Sequence, residues 1–256
     1  MKKMFLMMAM ALVCTAAMAQ DNAALGKKWY DAERYEKALP YLLKAIDEGD
    51  ADSKARLGAM IYTMNAMEYS MDRDQANKLL DEAIEAGSVL GIERKGFCLL
   101  FSPLGEDTPE ARMNGINLLV EASEKGSSDA SFNLFKVYRD GLYTYADNAE
   151  IVAPNDSLSL AYIQRANEQG GVEGKAWVGL YTYEGSHGYD KDEAGGAALI
   201  EEAWDQDAPS GHRMFAGNCL EPGRVLVTAL KGAGKATKAG EVEALIDKYH
   251  PAGTQN

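Results

Sequence analysis

A short motif that returns five times is the feature of this chain that most constrains its fold. Each copy has a small residue, two apolar positions and an alanine, and in four copies a glycine follows four residues later. The alanines, which we call the anchor alanines, are Ala45, Ala83, Ala122, Ala166 and Ala203. Subtracting their positions gives spacings of 37 to 44 residues. Self-similarity at this period is typical of a solenoid of stacked helix pairs.

The residues before each anchor alanine predict one side of an amphipathic helix. Small residues lie seven positions before it: Ala38, Ala76, Gly115, Ser159 and Gly196. Apolar residues lie four and three positions before it: Tyr41, Leu79, Leu118, Tyr162 and Leu199, then Leu42, Leu80, Leu119, Ile163 and Ile200. These offsets place all of them on one helical stripe. We interpret the stripe as the core of the first helix of each repeat, not as a cofactor site.

The residues after each anchor alanine predict a turn and a second helix. Gly49, Gly87, Gly126 and Gly170 suit the left-handed residue that ends a helix. Polar residues that can cap a new helix follow three of these glycines: Asp50, Ser88 and Ser127. The fifth repeat has Asp207 and then Pro209 instead, so we expect a different turn there.

A second glycine column lies nine residues further on, at Gly58, Gly96 and Gly179. Glycine inside a helix costs about 1 kcal/mol relative to alanine, so its recurrence predicts a close helix crossing. In the third repeat this position holds Phe135, and we expect its ring to push the helices apart.

Two segments carry a family resemblance, AIDEGDADSKARLGAMIY from Ala45 and ANEQGGVEGKAWVGLYTYEG from Ala166. Their pattern resembles the Sel-one-like repeat (SLR), a relative of the tetratricopeptide repeat built from antiparallel helix pairs. The resemblance covers about residues 36–220. It implies an all-α solenoid that acts as a scaffold or adaptor through a concave groove, with no shared active site.

We place five repeats in one domain over residues 20–250. The repeats are 36–66, 74–104, 109–141, 157–186 and 192–221. An opening helix over 23–35 precedes them, capping helices over 223–250 follow, and residues 251–256 are expected to fray.

Residues 1–19 are typical of a signal peptide. Lys2 and Lys3 precede an apolar run, and a small-x-small cleavage pattern ends at Ala19 before Gln20. No later stretch is apolar enough to cross a bilayer. Because Val13 stands where lipoprotein signals have a small residue, we do not expect a lipid anchor at Cys14. The sequence therefore predicts a bacterial protein that is periplasmic or secreted.

The formal net charge of −13 argues against nucleic acid and anionic membranes as partners. Cys98 and Cys219 are assigned to the second and fifth repeats, with three helix pairs between them, so we expect two buried, unpaired thiols.

Motifs that could carry chemistry are incomplete. GAGKAT at 232–237 departs from the phosphate-loop pattern. Asp190 and Asp192 give only part of a calcium loop, and Glu193 suits a helix N-terminus better.

The three histidines, His187, His212 and His250, have no histidine four residues on. His212 and Cys219 are seven residues apart on one predicted helix, too far for a nucleophile and its base. We predict no catalytic residue, no metal and no cofactor.

The long connector over 139–157 is the best candidate for function. It carries Leu142, Tyr143, Tyr145, Ile151 and Val152. Long connectors are commonly functional, but these side chains could instead fold back to fill a gap beside Phe135.

Three functions follow as hypotheses. The first is a non-enzymatic, extracytoplasmic scaffold that holds a protein or peptide in a groove lined by polar positions of the first helices. The second is an enzyme or small-ligand receptor with a pocket between repeats three and four, lined by Phe135, Tyr143, Tyr145 and Trp177. The third is a structural subunit of an envelope or secretion assembly.

Overall fold

The computed structural model describes residues 22–63, 72–101 and 107–251. Within these ranges the chain is almost entirely helical, as predicted, with one short β-hairpin. It forms two compact units, unit 1 up to Lys125 and unit 2 from Gly126. The predicted signal peptide, Cys14 and the tail beyond residue 251 lie outside the described residues.

Unit 1 contains six helices among its described residues. They are α1 (22–31), α2 (Tyr35–Asp47), α3 (Ala51–Tyr62), α4 (Arg73–Glu85), α5 (Val89–Phe101) and α6 (Pro109–Glu124). The predicted opening helix is shorter than expected, because a turn at residues 32–34 ends α1 and Tyr35 already begins α2.

Unit 2 continues the helix pairs and adds the hairpin. Its elements are α7 (Ser128–Asp140), β1 (Leu142–Tyr143), β2 (Glu150–Val152), α8 (Asp156–Glu168), α9 (Val172–Glu184), α10 (Glu193–Gln206), a 3-10 turn (Ala208–Ser210), α11 (Arg213–Asn218), α12 (Leu220–Gly232) and α13 (Ala236–Tyr249). The two strands pair antiparallel, with Leu142 opposite Val152. This hairpin was not predicted from the sequence.

The predicted core stripe is confirmed. All five anchor alanines are fully buried, and so are the leucines and isoleucines three positions before them. The residues four positions before them are half-buried at the edge of the stripe. Burial of each leucine or isoleucine stabilises the fold by about 1.5–3 kcal/mol, so the stripe stabilises the packing of every helix pair.

The predicted turns are also confirmed. Gly49 has a φ of +94°, and Gly87, Gly126 and Gly170 are likewise left-handed. The Asp50 carboxylate accepts a hydrogen bond from the Ser53 amide at 2.7 Å.

The fifth turn differs, as expected. The buried Asp207 carboxylate reaches across the 3-10 turn and accepts a hydrogen bond from the Phe215 amide at 2.8 Å. The predicted single helix through His212 and Cys219 is wrong. His212 has a left-handed φ of +60° before α11, and α11 ends at Asn218.

The glycine column of the second helices marks close crossings, as predicted. A Cβ added at Gly96 would lie 2.9 Å from the Gly115 carbonyl oxygen, and one at Gly179 would lie 2.9 Å from the Gly196 carbonyl oxygen. The expected separation at Phe135 does not occur. Its ring is buried among Phe132 and Trp177, and α7 still packs against α8 as the other second helices pack against the next first helix.

Within each unit the second helices of the pairs approach each other. In unit 1 α3 contacts α5, and in unit 2 α7 contacts α9, while the first helix α10 also contacts α12. We call the surface carried by α3 and α5, or by α7 and α9, the inner face of that unit. The sequence analysis expected a groove lined by polar positions of the first helices, and that groove stays a prediction.

Candidate functional site

Four inner-face residues occupy the same position of the repeat. They lie seven residues after the glycine that ends each first helix: Arg56, Arg94, Asn133 and Trp177. Arg56, Asn133 and Trp177 are buried, and Arg94 is half-buried. We call these four the inner-register residues. Of these four, the sequence analysis selected only Trp177. Counting seven residues on from each glycine that ends a first helix reveals the other three.

In unit 2, two of the four predicted site residues come together. The rings of Phe135 and Trp177 have centroids 5.3 Å apart in the core. Tyr143 is half-buried on strand β1, and Tyr145 is 65% exposed in the hairpin turn. Their role in binding stays a prediction.

Arg139 covers the two core rings. Its guanidinium carbon lies 5.0 Å from the centroid of Phe135 and 4.8 Å from that of Trp177. Two hydrogen bonds of 2.7 Å each hold the guanidinium against the Asp140 carboxylate. Cation–π contacts of this kind contribute about 0.5–2 kcal/mol. The four-residue spacing from Phe135 on α7 was the available sequence signal for Arg139.

Glu173 is a deeply buried acid of this region, at 5% exposure. Its Oε1 accepts a hydrogen bond from the Asn218 side-chain amide at 3.0 Å. Trp177 Nε1 donates to the Asn218 carbonyl at 3.2 Å, so α9 is tied twice to the end of α11. Burial, with the nearby Asp129 charge adding to it, raises the pKa of Glu173 to about 7. No sequence signal pointed to this residue.

Lys136 lies on α7, four residues after Phe132 and three residues before Arg139. Its Nζ is 5.1 Å from the centroid of Phe132. Burial lowers the pKa of Lys136, although the Glu173 charge opposes that shift. On α7 and α9, cationic side chains therefore lie next to buried aromatic rings.

In unit 1, Arg94 pairs with its neighbour on α5. Its Nη1 lies 3.3 Å from Glu93 Oε1, and its guanidinium carbon lies 5.9 Å from the ring centroid of Tyr30 on α1. Arg56, on α3, is 8% exposed.

The two cysteines are buried free thiols, which confirms their predicted burial. Burial raises the pKa of Cys98 to about 12 and that of Cys219 well above its usual value. Both thiols are therefore neutral at physiological pH and poor nucleophiles. Among the described residues, no group of three or more histidine, cysteine or acidic side chains is placed to hold a metal. None of the helices described is both long and apolar enough to span a bilayer.

Comparison with known proteins identifies the family. No protein-family model matches the chain. Over 178 residues it is 30% identical to the Sel1-repeat-containing protein YjcO of Escherichia coli strain K12, covering 68% of this chain and 73% of that protein. The chain belongs to the Sel1-repeat family. The uncharacterized protein YjcO of Shigella flexneri matches it with the same identity and coverage.

Solved Sel1-repeat structures share the fold. The Sel1 repeat protein of Oxalobacter formigenes superposes with a TM-score of 0.51 at 17% identity, over 87% of this chain and 84% of that one. The protective antigen c5321 of uropathogenic Escherichia coli, which displays an SLR fold, gives a TM-score of 0.50 at 19% identity. That match covers 84% of this chain and only 41% of c5321. Sel1-repeat proteins generally mediate protein–protein interactions, and their fold is typically a non-enzymatic scaffold.

Proposed function

We propose that this Sel1-repeat protein is an extracytoplasmic scaffold that holds a protein or peptide segment against the inner faces of its helix pairs. The observation that carries the proposal is the set of inner-register residues, which places arginine, asparagine and tryptophan at one repeat position on four second helices. Arginine and tryptophan side chains are enriched where proteins bind each other. The extracytoplasmic location rests on residues 1–19 of the sequence.

The alternative of a small-ligand pocket between repeats three and four is less favoured by the geometry. Phe135 is fully buried against Trp177, and Arg139 covers both rings, so these side chains occupy the junction. A cavity of about 310 Å³ in unit 2 lies elsewhere, between α12 and α13 beside Arg224 and Asp247.

A charge reversal on the inner face tests the proposed function. The tagged full chain is expressed in its native host, and its partners are quantified by mass spectrometry after capture from the envelope and the medium. We expect Lys136→Glu to lower the recovery of at least one partner about ten-fold, the effect of losing roughly 1.4 kcal/mol. Lys44→Glu is the matched control, since Lys44 is an exposed lysine on the first helix α2.

Two results would contradict the proposal. One is equal partner recovery by the two variants. The other is a chain found in the cytoplasm with residues 1–19 still attached.

A further inference from the structure

A cavity of about 310 Å³ lies in unit 2 between α12 and α13. Six of the residues that line it recur at spacings of three and four, which puts them on one side of each helix. They are Arg224, Val227 and Lys231 on α12, and Glu243, Ile246 and Asp247 on α13. Sites for small ligands have volumes from about 300 Å³ upward, so this cleft is large enough to hold one.

The cleft has an apolar floor and one end at which the charges are compensated. Val227 and Ile246 are buried, whereas the charged side chains around them are exposed, so the two apolar side chains form the floor. Lys231 Nζ lies 3.1 and 3.0 Å from the two carboxylate oxygens of Glu243. This ion pair compensates both charges at its end of the cleft.

The packing of the two helices determines where the other two charges lie. Ile246 packs so closely on Gly223 that a Cβ added to the glycine would overlap its side chain. Arg224 and Asp247, the next residue of each helix, therefore lie at the same end of the cleft, about two turns of α12 from Lys231. Neither Arg224 nor Asp247 makes a hydrogen bond or an ion pair with any described residue, so they are not paired with each other.

We propose that this cleft binds a free α-amino acid with an apolar side chain. The Arg224 guanidinium donates two parallel hydrogen bonds to the ligand's carboxylate, and the Asp247 carboxylate accepts hydrogen bonds from its ammonium group. The ligand's side chain covers Val227 and Ile246 on the floor. This site is independent of the proposed scaffold function, because α7 and α9 carry the inner face of unit 2.

The charge pattern of the cleft selects a zwitterion. An anion that binds Arg224 is repelled by Asp247, and a cation that binds Asp247 is repelled by Arg224. A free amino acid carries both charges on one carbon atom, so each of them meets its opposite. Because Lys231 and Glu243 already compensate each other, a charged ligand side chain finds no unpaired charge there, and an apolar one gains by covering the floor.

Leucine and two blocked forms of it test the site. L-Leucine, N-acetyl-leucine without the ammonium charge, and leucine amide without the carboxylate are each titrated into the purified mature chain. NMR follows the backbone amides of α12 and α13, and we expect saturable shifts with leucine. Each blocked form should bind at least about five-fold more weakly, the effect of losing one exposed charge pair. Glycine should also bind more weakly than leucine, because it leaves the apolar floor uncovered.

Variants assign the effect to the two charges. Arg224→Gln and Asp247→Asn should each weaken leucine binding about five-fold, and both side chains are exposed, so neither substitution disturbs the core. The double variant Arg224→Asp, Asp247→Arg exchanges the charges, and leucine can bind to it in the reverse orientation. Its affinity should therefore exceed that of either single charge reversal. Arg34→Gln, at an exposed arginine of unit 1, should bind as the wild type does.

Three results would overturn the inference: equal binding of leucine and N-acetyl-leucine, unchanged leucine affinity in both single variants, or no saturable binding of leucine. Partner capture with Lys136→Glu tests the proposed scaffold function separately. A chain that captures its partner but does not bind leucine would keep that function and lose this site.

Discussion

At the scale of single residues, the burial of Glu173 and Arg56 on the inner faces has effects on stability that can be tested. Glu173 keeps its hydrogen bond to Asn218 in either protonation state, but its charged form is disfavoured by burial. Arg56 is buried without a partner, whereas Arg112, on α6, is buried and fully engaged. We therefore expect these two arginines to have opposite effects on stability.

Glu173→Gln should change how stability depends on pH. The folded-state pKa of about 7 is above the ordinary value of 4.5, so the native state keeps a proton that the unfolded chain loses. Wild-type stability therefore falls as pH rises from about 4.5 to 7. The glutamine variant avoids this loss. Its free energy of unfolding relative to the wild type, which we call its advantage, should therefore grow by about 3 kcal/mol across that window.

Urea unfolding at pH 4.5 and pH 8 measures that advantage. Glu202→Gln, at an exposed acid on α10, is the control and should show no such growth. A Glu173→Gln advantage that is the same at both pH values would contradict the assigned burial of the charge.

Arg56→Met should stabilise the chain by about 1 kcal/mol, because it removes an uncompensated buried charge and keeps the apolar stem. Arg112→Met should destabilise it by about 2 kcal/mol. Arg112 Nη2 lies 2.8 Å from Asp107 Oδ1, and Nη1 donates to the Leu100 carbonyl at 3.0 Å. Chemical denaturation of both variants checks the signs, and two losses of similar size would show that Arg56 has a compensating partner.

At the scale of elements, Gly58, Gly96 and Gly179 allow α3, α5 and α9 to approach the next first helix closely. Gly179→Ala should destabilise the chain by about 2 kcal/mol although alanine favours helix, because its Cβ would meet the Gly196 carbonyl oxygen at 2.9 Å. Gly240→Ala is the control, since Gly240 lies inside α13 with no other group within 4 Å of its added Cβ. That substitution should stabilise by about 0.5–1 kcal/mol. If Gly179→Ala were also stabilising, the close crossing of α9 and α10 would be wrong.

Sequence patterns predicted the elements to different degrees, for physical reasons. The first helices have one apolar and one polar side, so their period was readable from Ala38 to Ala45. Helix α9 is buried nearly all round, so only its glycines and flanking turns revealed it. The hairpin strands are two and three residues long, too short for an alternating pattern to appear. Gly217 and Asn218 lie at the end of α11 and could have indicated it, but His212 and Cys219 were wrongly placed on one helix.

The candidate site was less predictable than the fold. Phe135 stood out because it replaces glycine in a repeat column. Glu173 became notable only through its burial, which depends on α7 and α11 packing around α9. The pairing state of Arg56 likewise depends on contacts between separate helices, which no single-sequence pattern encodes.

At the scale of the whole molecule, an acidic chain presents cations on the inner faces of both units. The formal net charge is −13, yet Arg56 and Arg94 lie on the inner face of unit 1, and Lys136 and Arg139 on that of unit 2. A partner of opposite local charge is therefore attracted there, while the acidic remainder disfavours other anionic surfaces.

Site-directed photocrosslinking in the native host tests the central claim most directly. A photoreactive amino acid is placed at Arg94 or Lys136 on second helices, and at Lys78 or Glu202 on exposed surfaces of the first helices α4 and α10. The account predicts that the same partner adduct forms from Arg94 and Lys136 and not from Lys78 or Glu202. Adducts of equal yield from all four positions, or only from the first helices, would contradict it.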